Sequence, residues 1–218
     1  LVKGDVIVVD DNHRRVAATI ATAIRPQLIA KSRRFLVTVA GESGSGKSET
    51  AAALAEQLLA AGIHSAILGQ DDYFGLPPKT NDARRRQDPD WLGPDVEVRF
   101  DLLQANVDSA LAGDSSIDKP TIDYAANSVS PDRLSLVGVK VVIVEGTYVS
   151  LLRHVDARVF IARTRRETLA HRMRRNRGNE VRDPFIEGVL SVEHKIIAGH
   201  RHLADFVVTS DYDVVQPD

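Results

Sequence analysis

The chain has 218 residues, 43% of them hydrophobic and 27% charged, with a formal charge of −2 and no cysteine. That length suits one domain with a full sheet-and-helix core, and the absence of cysteine excludes disulfides and thiolate metal sites. No apolar run reaches the length of a membrane span, and the near-neutral charge gives no global attraction to nucleic acid or acidic membrane.

Asp5-Val6-Ile7-Val8-Val9 is a short β-branched run, followed by Asp10, Asp11 and Asn12 as candidate helix caps. From Arg14 to Ile29 the residues Val16, Ile20, Ile24 and Leu28 recur at every fourth position, an amphipathic helix that Pro26 should bend or shorten. Phe35 to Ala40 is a continuous apolar run ending in glycines, a buried strand. Ser48 to Ala61 predicts a helix closed by Gly62, and Ser65 to Leu68 a second strand. Asp71 to Pro94, with three internal prolines and a basic stretch from Lys79 to Arg86, reads as a loop. Val96 to Leu111 is helical and ends at Gly113. Val139 to Val144 is a buried strand closed by Glu145-Gly146, and Ala157 to Ala162 another. Arg165 to Arg177 and Pro184 to His202 are helical, and Asp205 to Thr209 is a last strand. Strands alternating with helices imply a parallel sheet covered on both faces.

Gly41-Glu42-Ser43-Gly44-Ser45-Gly46-Lys47-Ser48 fits the pattern Gly-x4-Gly-Lys-Ser between a buried strand and a helix N-terminus. Glycines let successive N–H groups turn inward onto phosphate oxygens, and the helix points its positive end at the same anion. Lys47 is placed to reach the β- and γ-phosphates, and Ser48 to join a magnesium shell. A chance match in a chain this long is roughly one in a hundred. The nucleotide site is therefore expected to comprise Gly41, Ser43, Gly44, Ser45, Gly46, Lys47, Ser48 and Glu49, with ATP and Mg2+ as ligands. The Asn-Lys-x-Asp segment that reads guanine in switch proteins does not occur.

Ligands of open α/β sheets sit beyond the carboxyl ends of the strands, where Asp71, Asp72 and Glu145 fall. A carboxylate there can accept the proton of an attacking hydroxyl, a role expected of Asp71, and another can hold magnesium directly or through water, expected of Glu145. Capping is the alternative for Asp71 and more so for Asp72. Seven arginines against one acid between Arg163 and Arg177 suit a lid that closes over a triphosphate. A solvated basic face is the alternative for any single arginine, and no interleaved aromatics suggest RNA.

These residues resemble the uridine kinase and phosphoribulokinase group of phosphate-loop kinases. The resemblance runs from about Phe35 to Val208. It rests on Gly41–Ser48, Gln70-Asp71-Asp72-Tyr73-Phe74, Gly93-Pro94-Asp95, Lys119-Pro120-Thr121-Ile122-Asp123-Tyr124, Val144-Glu145-Gly146 and the stretch Arg172–Arg182. It implies a P-loop NTPase fold, a three-layer α/β/α sandwich with a five-stranded parallel sheet of order 2-3-1-4-5. The expected organisation is an N-terminal strand-helix extension over 1–33 packed on a kinase domain over 34–210, with the lid at about 163–182. The resemblance further implies that Asp71 is the base, that Arg172 and Arg175 are lid arginines acting with Lys47 in catalysis, and that Arg172 also touches the nucleotide. Arg182 is a further lid candidate.

The departures fall on the acceptor side. Trp91-Leu92 precede Gly93-Pro94-Asp95 where uridine kinases carry Phe-Asp, Ile122 replaces a tyrosine and Asn127 a histidine, so partners for ribose and base are lost. The expected acceptor pocket comprises Asp71, Tyr73, Phe74, Lys79, Arg84, Trp91 and Tyr124, and Lys79 with Arg84, Arg85 and Arg86 would suit an anionic acceptor. His194 and His200, six residues apart on a helix, diverge by about 240° and do not suggest a metal site. The expected activity is ATP-dependent phosphoryl transfer to a hydroxyl of a nucleoside, sugar or related metabolite. A nucleotide-binding regulator without an acceptor is the alternative. A small molecule is the expected partner, with no nucleic acid or membrane. A reducing cytoplasm is the expected setting, the simplest home for a chain without cysteine and with no secretory signature read at its N-terminus. The segment before Phe35 is expected either to pack on the sheet edge or to form a homodimer contact.

Overall fold

The computed structural model describes residues 7–163, 167–168 and 183–217. The chain enters through Ile7–Asp10, which carries no strand pairing. The part of the N-terminal β-branched run that is described is therefore a lead-in to a helix. Helix α1 (Asp11–Ala30) is started by a capping box: Asp10 accepts from the His13 backbone N at 3.0 Å, and the His13 ring accepts in return from the Asp10 backbone N. Its Val16, Ile20, Ile24 and Leu28 are buried as the periodicity predicts. Pro26 does not shorten it. Thr22 and Pro26 lie on the exposed face, so water can reach the carbonyl that the missing N–H leaves unbonded.

Strand β1 (Phe35–Gly41) is buried along its whole length, and helix α2 (Lys47–Ala60) follows the glycine-rich turn. Next come β2 (Ser65–Gly69), a 3-10 turn at Gln70–Tyr73, and helices α3 (Pro78–Gln87) and α4 (Phe100–Ala112). A hairpin of β3 (Ser116–Asp123) and β4 (Ser128–Ser135) leads to β5 (Val141–Gly146) and β6 (Ala157–Ile161). The chain closes with α5 (Pro184–Ala198), β7 (Phe206–Val208) and β8 (Val214–Val215).

The main sheet has the order β2-β5-β1-β6-β7-β8, parallel except for the short antiparallel edge β8. The five parallel strands, counted along the chain, run 2-3-1-4-5. Alternation along them divides the core. Phe35, Val37, Val39, Val141 and Ile143 face α1 and α2, whose Ile20, Ile24, Leu54 and Leu58 complete that layer. Leu36, Ala40, Val142 and Val144 face the opposite layer, packed by Leu103 and Val107 of α4, Ile117 of β3 and Ile197 of α5. At the amino ends of the strands Asp156, nearly inaccessible, accepts from Lys31, from Arg33 at 2.7 Å and from the Leu36 backbone N.

Several elements differ from the sequence expectation. The segment expected as a loop contains α3, which is polar on every face and so lacks an apolar stripe to announce it. Pro78 at its first position and the Asp82–Arg86 and Arg84–Asp88 pairs at i,i+4 support it. Helix α4 begins at Phe100, four residues later than expected, because Val98 bridges to Phe74 in extended conformation. The β3–β4 hairpin escaped notice: it pairs Pro120 with Pro131 and Asp118 with Arg133, and β4 is exposed along nearly all its length. The arginine-rich stretch with Arg165, Arg172, Arg174, Arg175, Arg177 and Arg182 lies outside the described residues.

Candidate functional site

Parallel strands deliver their carboxyl ends to one edge, and Gly41, Gly69 and Gly146 end three neighbouring strands there. From Gly41 the chain turns into α2 through Gly44 and Gly46, at φ +75° and +98°, values that side chains strain to adopt. A Cβ on Gly46 would also press on the His13 ring of α1 at 3.1 Å. Ser45 packs its hydroxyl where a Cβ on Gly41 would lie, 2.8 Å away. The loop is not collapsed: Lys47 Nζ donates to the Glu42 carbonyl at 2.8 Å, and Ser43, Gly44, Gly46, Lys47 and Ser48 border an open cavity of about 650 Å3. Gly41, Ser45 and Glu49, expected among the nucleotide contacts, sit behind the loop and do not border the cavity. Glu49 is buried in the first turn of α2, where the helix dipole favours an acid. Beyond β6, the Thr168 hydroxyl donates to the Ser43 carbonyl.

Across the cavity stand two carboxylates. Glu145 ends β5 and accepts from the Ser48 hydroxyl at 3.2 Å. Burial, then the neighbouring Asp71, push its acidity down to a pKa of about 7, against the pull of Lys47. Asp71 opens the 3-10 turn after β2 and lines the same cavity. Gln70 fixes their relative placement. Its side chain crosses Gly146, where a Cβ would collide with it, and accepts from the Tyr148 backbone N at 2.7 Å. Asp72 turns away: it accepts from Lys119 Nζ at 2.7 Å and from the Ile122 backbone N at 3.0 Å, clamping the hairpin to the turn.

The rest of the cavity wall includes Phe74, Lys79, Ile122 and Tyr124, Arg85 and Arg86 of α3, and Ile186, Val189, Leu190 and Glu193 of α5. Phe74, Lys79 and Tyr124 stand where the sequence put them. Three expected acceptor residues do not. Tyr73 is wholly buried in the core, its hydroxyl accepting from Asn106 at 2.9 Å, because successive residues of the turn point to opposite sides. Trp91 donates to Asn81 Oδ1 at 2.9 Å and packs under the Arg84 guanidinium, which bonds Asp88. Both Trp91 and Arg84 lie outside the cavity wall.

The sequence reading missed Glu193, Thr147 and Asp183, all on the wall. Glu193 had a signal: Ile186, Val189, Leu190 and Glu193 occupy i, i+3, i+4 and i+7, so an acid interrupts an apolar stripe. Burial raises its pKa to about 7, Arg85 opposing and Glu97 adding to the rise. The next residue, His194, sits 2.6 Å from the Glu42 carboxylate, joining α5 to the phosphate loop. Among the described residues no group of three or more His, Asp or Glu is arranged to hold a metal ion, and no helix is long and apolar enough to cross a membrane.

The profile of the Phosphoribulokinase / Uridine kinase family matches residues 36–206. A curated relative, the bifunctional α-galactosidase/sucrose kinase of Mediterraneibacter gnavus, is 29% identical over 84% of this chain. The alignment spans only 21% of that larger protein. Among solved structures, D-glycerate 3-kinase from Cryptococcus neoformans superposes with a TM-score of 0.63 at 14% identity, covering 93% of this chain and 98% of that one. A protein described as a candidate uridine kinase from Bacillus stearothermophilus gives 0.60 at 16% identity, covering 83% and 95%. At these identities the structural likeness bears on the fold alone, a P-loop kinase sandwich.

Proposed function

Because the chain belongs to the phosphoribulokinase and uridine kinase family, we propose that it transfers the γ-phosphoryl group of ATP to a hydroxyl of a small metabolite, a nucleoside, sugar or related compound. The observation that carries this reading is that Lys47, Ser48, Asp71 and Glu145 border one cavity, with room beyond them for a second molecule. Backbone N–H groups of the loop and the start of α2 suit a polyphosphate. Lys47 donates to the Glu42 carbonyl at the loop, within the same cavity, and its ammonium is the group that would meet the β- and γ-oxygens. Asp71, on the wall of the same cavity, accepts the proton of the acceptor hydroxyl as that oxygen attacks phosphorus in line.

Magnesium fits the residues present. Ser48 and Glu145 offer a hydroxyl and a carboxylate in contact, the hard oxygen donors that this cation prefers. Glu145, buried beside Asp71, carries just the charge conflict that a divalent cation relieves. Held there by Ser48 and Glu145, the cation would supply positive charge against the triphosphate. The resemblance adds Arg172 and Arg175 as donors to the transferring phosphoryl group, a role that rests on sequence alone.

The test is ATP consumption by the purified protein with magnesium, with and without a pool of hydroxyl-bearing metabolites. Stimulation well above a slow background supports the kinase reading. Nucleotide binding without stimulation by any compound favours a regulator with no acceptor.

A further inference from the structure

The relatives act on acceptors of different chemistry, so the acceptor must be read from this chain's own side chains. In the half of the wall contributed by segments other than the phosphate loop, the protein already neutralises its cations. Arg85 donates to Glu97 at 2.6 Å and lies 3.9 Å from Glu193. Arg86 pairs with Asp82 at 3.1 Å and Asp183 at 2.5 Å. Only Lys79, exposed at the rim, lines this half without a carboxylate partner among the described residues. A phosphate or carboxylate brought in would meet Asp71 and Glu193 and have to displace standing ion pairs. Desolvating like charges together is costly. The basic stretch that suggests an anionic acceptor in the sequence is, in the fold, an internally paired helix.

A nucleobase fares little better. A side-chain amide with donor and acceptor to spare is one group that suits a base edge. Asn81, the amide on the wall, spends Nδ2 on Glu97 at 3.0 Å and Oδ1 on Trp91. Asn127 accepts from the Lys79 backbone N. On the same wall the Glu193 carboxylate and the Arg85 guanidinium face each other just beyond hydrogen-bond reach. A separation of 3.9 Å between polar groups is one that a third group can bridge. A hydroxyl, which donates and accepts at once, is the group that suits both.

We propose, resting on the kinase reading above, that the acceptor is a neutral polyhydroxylated molecule, a sugar or sugar alcohol, held by hydroxyls that bridge Glu193 and Arg85. Phe74, Ile122 and Tyr124 supply the apolar wall for its carbon face, and Asp71 receives the hydroxyl that reacts.

The experiment measures ADP formation with magnesium, ATP and separate acceptors: fructose, sucrose and glucitol; glycerate and fructose 6-phosphate; uridine. Binding of a non-hydrolysable ATP analogue is followed independently by calorimetry. The expected result is that a neutral sugar or polyol gives the highest kcat/KM. Glu193→Gln then raises its KM about tenfold or more, as loss of a charged hydrogen bond to substrate predicts, with kcat and the KM for ATP little changed. Glu193→Asp, which keeps the charge, gives a smaller rise, and thermal melts of both variants verify folding. Preferred turnover of a phosphorylated or carboxylated acceptor, or of uridine, overturns the inference while the kinase reading stands. An unchanged sugar KM in folded Glu193→Gln also overturns it. If the analogue does not bind and no acceptor stimulates, the kinase reading falls as well.

Discussion

Asp71 and Glu145 emerge from adjacent parallel strands, and their environments set them apart. Asp71 lies on the cavity wall, whereas Glu145 is pressed against Ser48 with its acidity weakened to about pKa 7. If Asp71 is the base, as proposed, its removal should cost about 10²–10⁴-fold in kcat. Asp71→Asn is expected to lose turnover on that scale while calorimetry finds nucleotide affinity near wild type; retained turnover would assign the proton to another group. Glu145 makes a prediction about pH. A carboxyl whose folded pKa lies above its unfolded value binds extra protons in the native state, so its contribution to stability falls as pH rises from about 4.5 to about 7. Without magnesium, Glu145→Gln should therefore raise the melting temperature at pH 8 and change it little at pH 5. Equal shifts at both values would deny the buried charge. That Gly44, Gly46, Lys47, Ser48, Asp71 and Glu145 meet at one cavity was legible in the sequence because loop chemistry and strand ends announce themselves locally. Tyr73, Arg84 and Trp91 were misassigned because the outcome depends on which way a turn faces and which neighbour captures a side chain, and neither is written in spacing.

Helix α3 shows how an element without an apolar stripe is held. Glu97, wholly buried, accepts from Arg85 at 2.6 Å, Asn81 at 3.0 Å and the Gly93 backbone N at 3.1 Å, binding the helix to the segment that follows it. Truncating one member of such a buried pair strands the other charge, at a cost of about 3–5 kcal/mol. Glu97→Ala should show that loss in urea unfolding, with a raised acceptor KM. Arg133→Ala, which breaks an exposed pair with Asp118 on the hairpin, should cost less than about 1 kcal/mol. Comparable losses from both would mean that Glu97 is not the anchor of α3. At this scale the buried strands and the amphipathic α1, α2 and α5 were readable from periodicity. Helix α3, the β3–β4 hairpin and the β8 edge were not, since long-range pairs and prolines on an exposed ribbon carry their stability.

Across the molecule, α1 packs on the sheet as an equal of α2. Its Val16, Ile20, Ile24 and Leu28 share one core with Leu54, Leu58 and Val37, and its His13 ring lies beneath Gly46 of the phosphate loop. Ile20→Ala should therefore lower global stability by about 2–5 kcal/mol in one cooperative transition. A separate early transition would show that α1 unfolds alone. The sheet order and the position of the cavity followed from the strand-helix alternation and the family motifs. The acceptor's chemistry did not, because it depends on ion pairs between α3, α5 and the segments around them. The central claim is that the corner between β1 and α2 holds a triphosphate through Lys47. Calorimetry of magnesium with a non-hydrolysable ATP analogue tests it, using wild type and Lys47→Ala at matched folded fractions. One-to-one binding that Lys47→Ala weakens a hundredfold or more, about 2.7 kcal/mol, is the predicted result; equal affinity in the two proteins would contradict it.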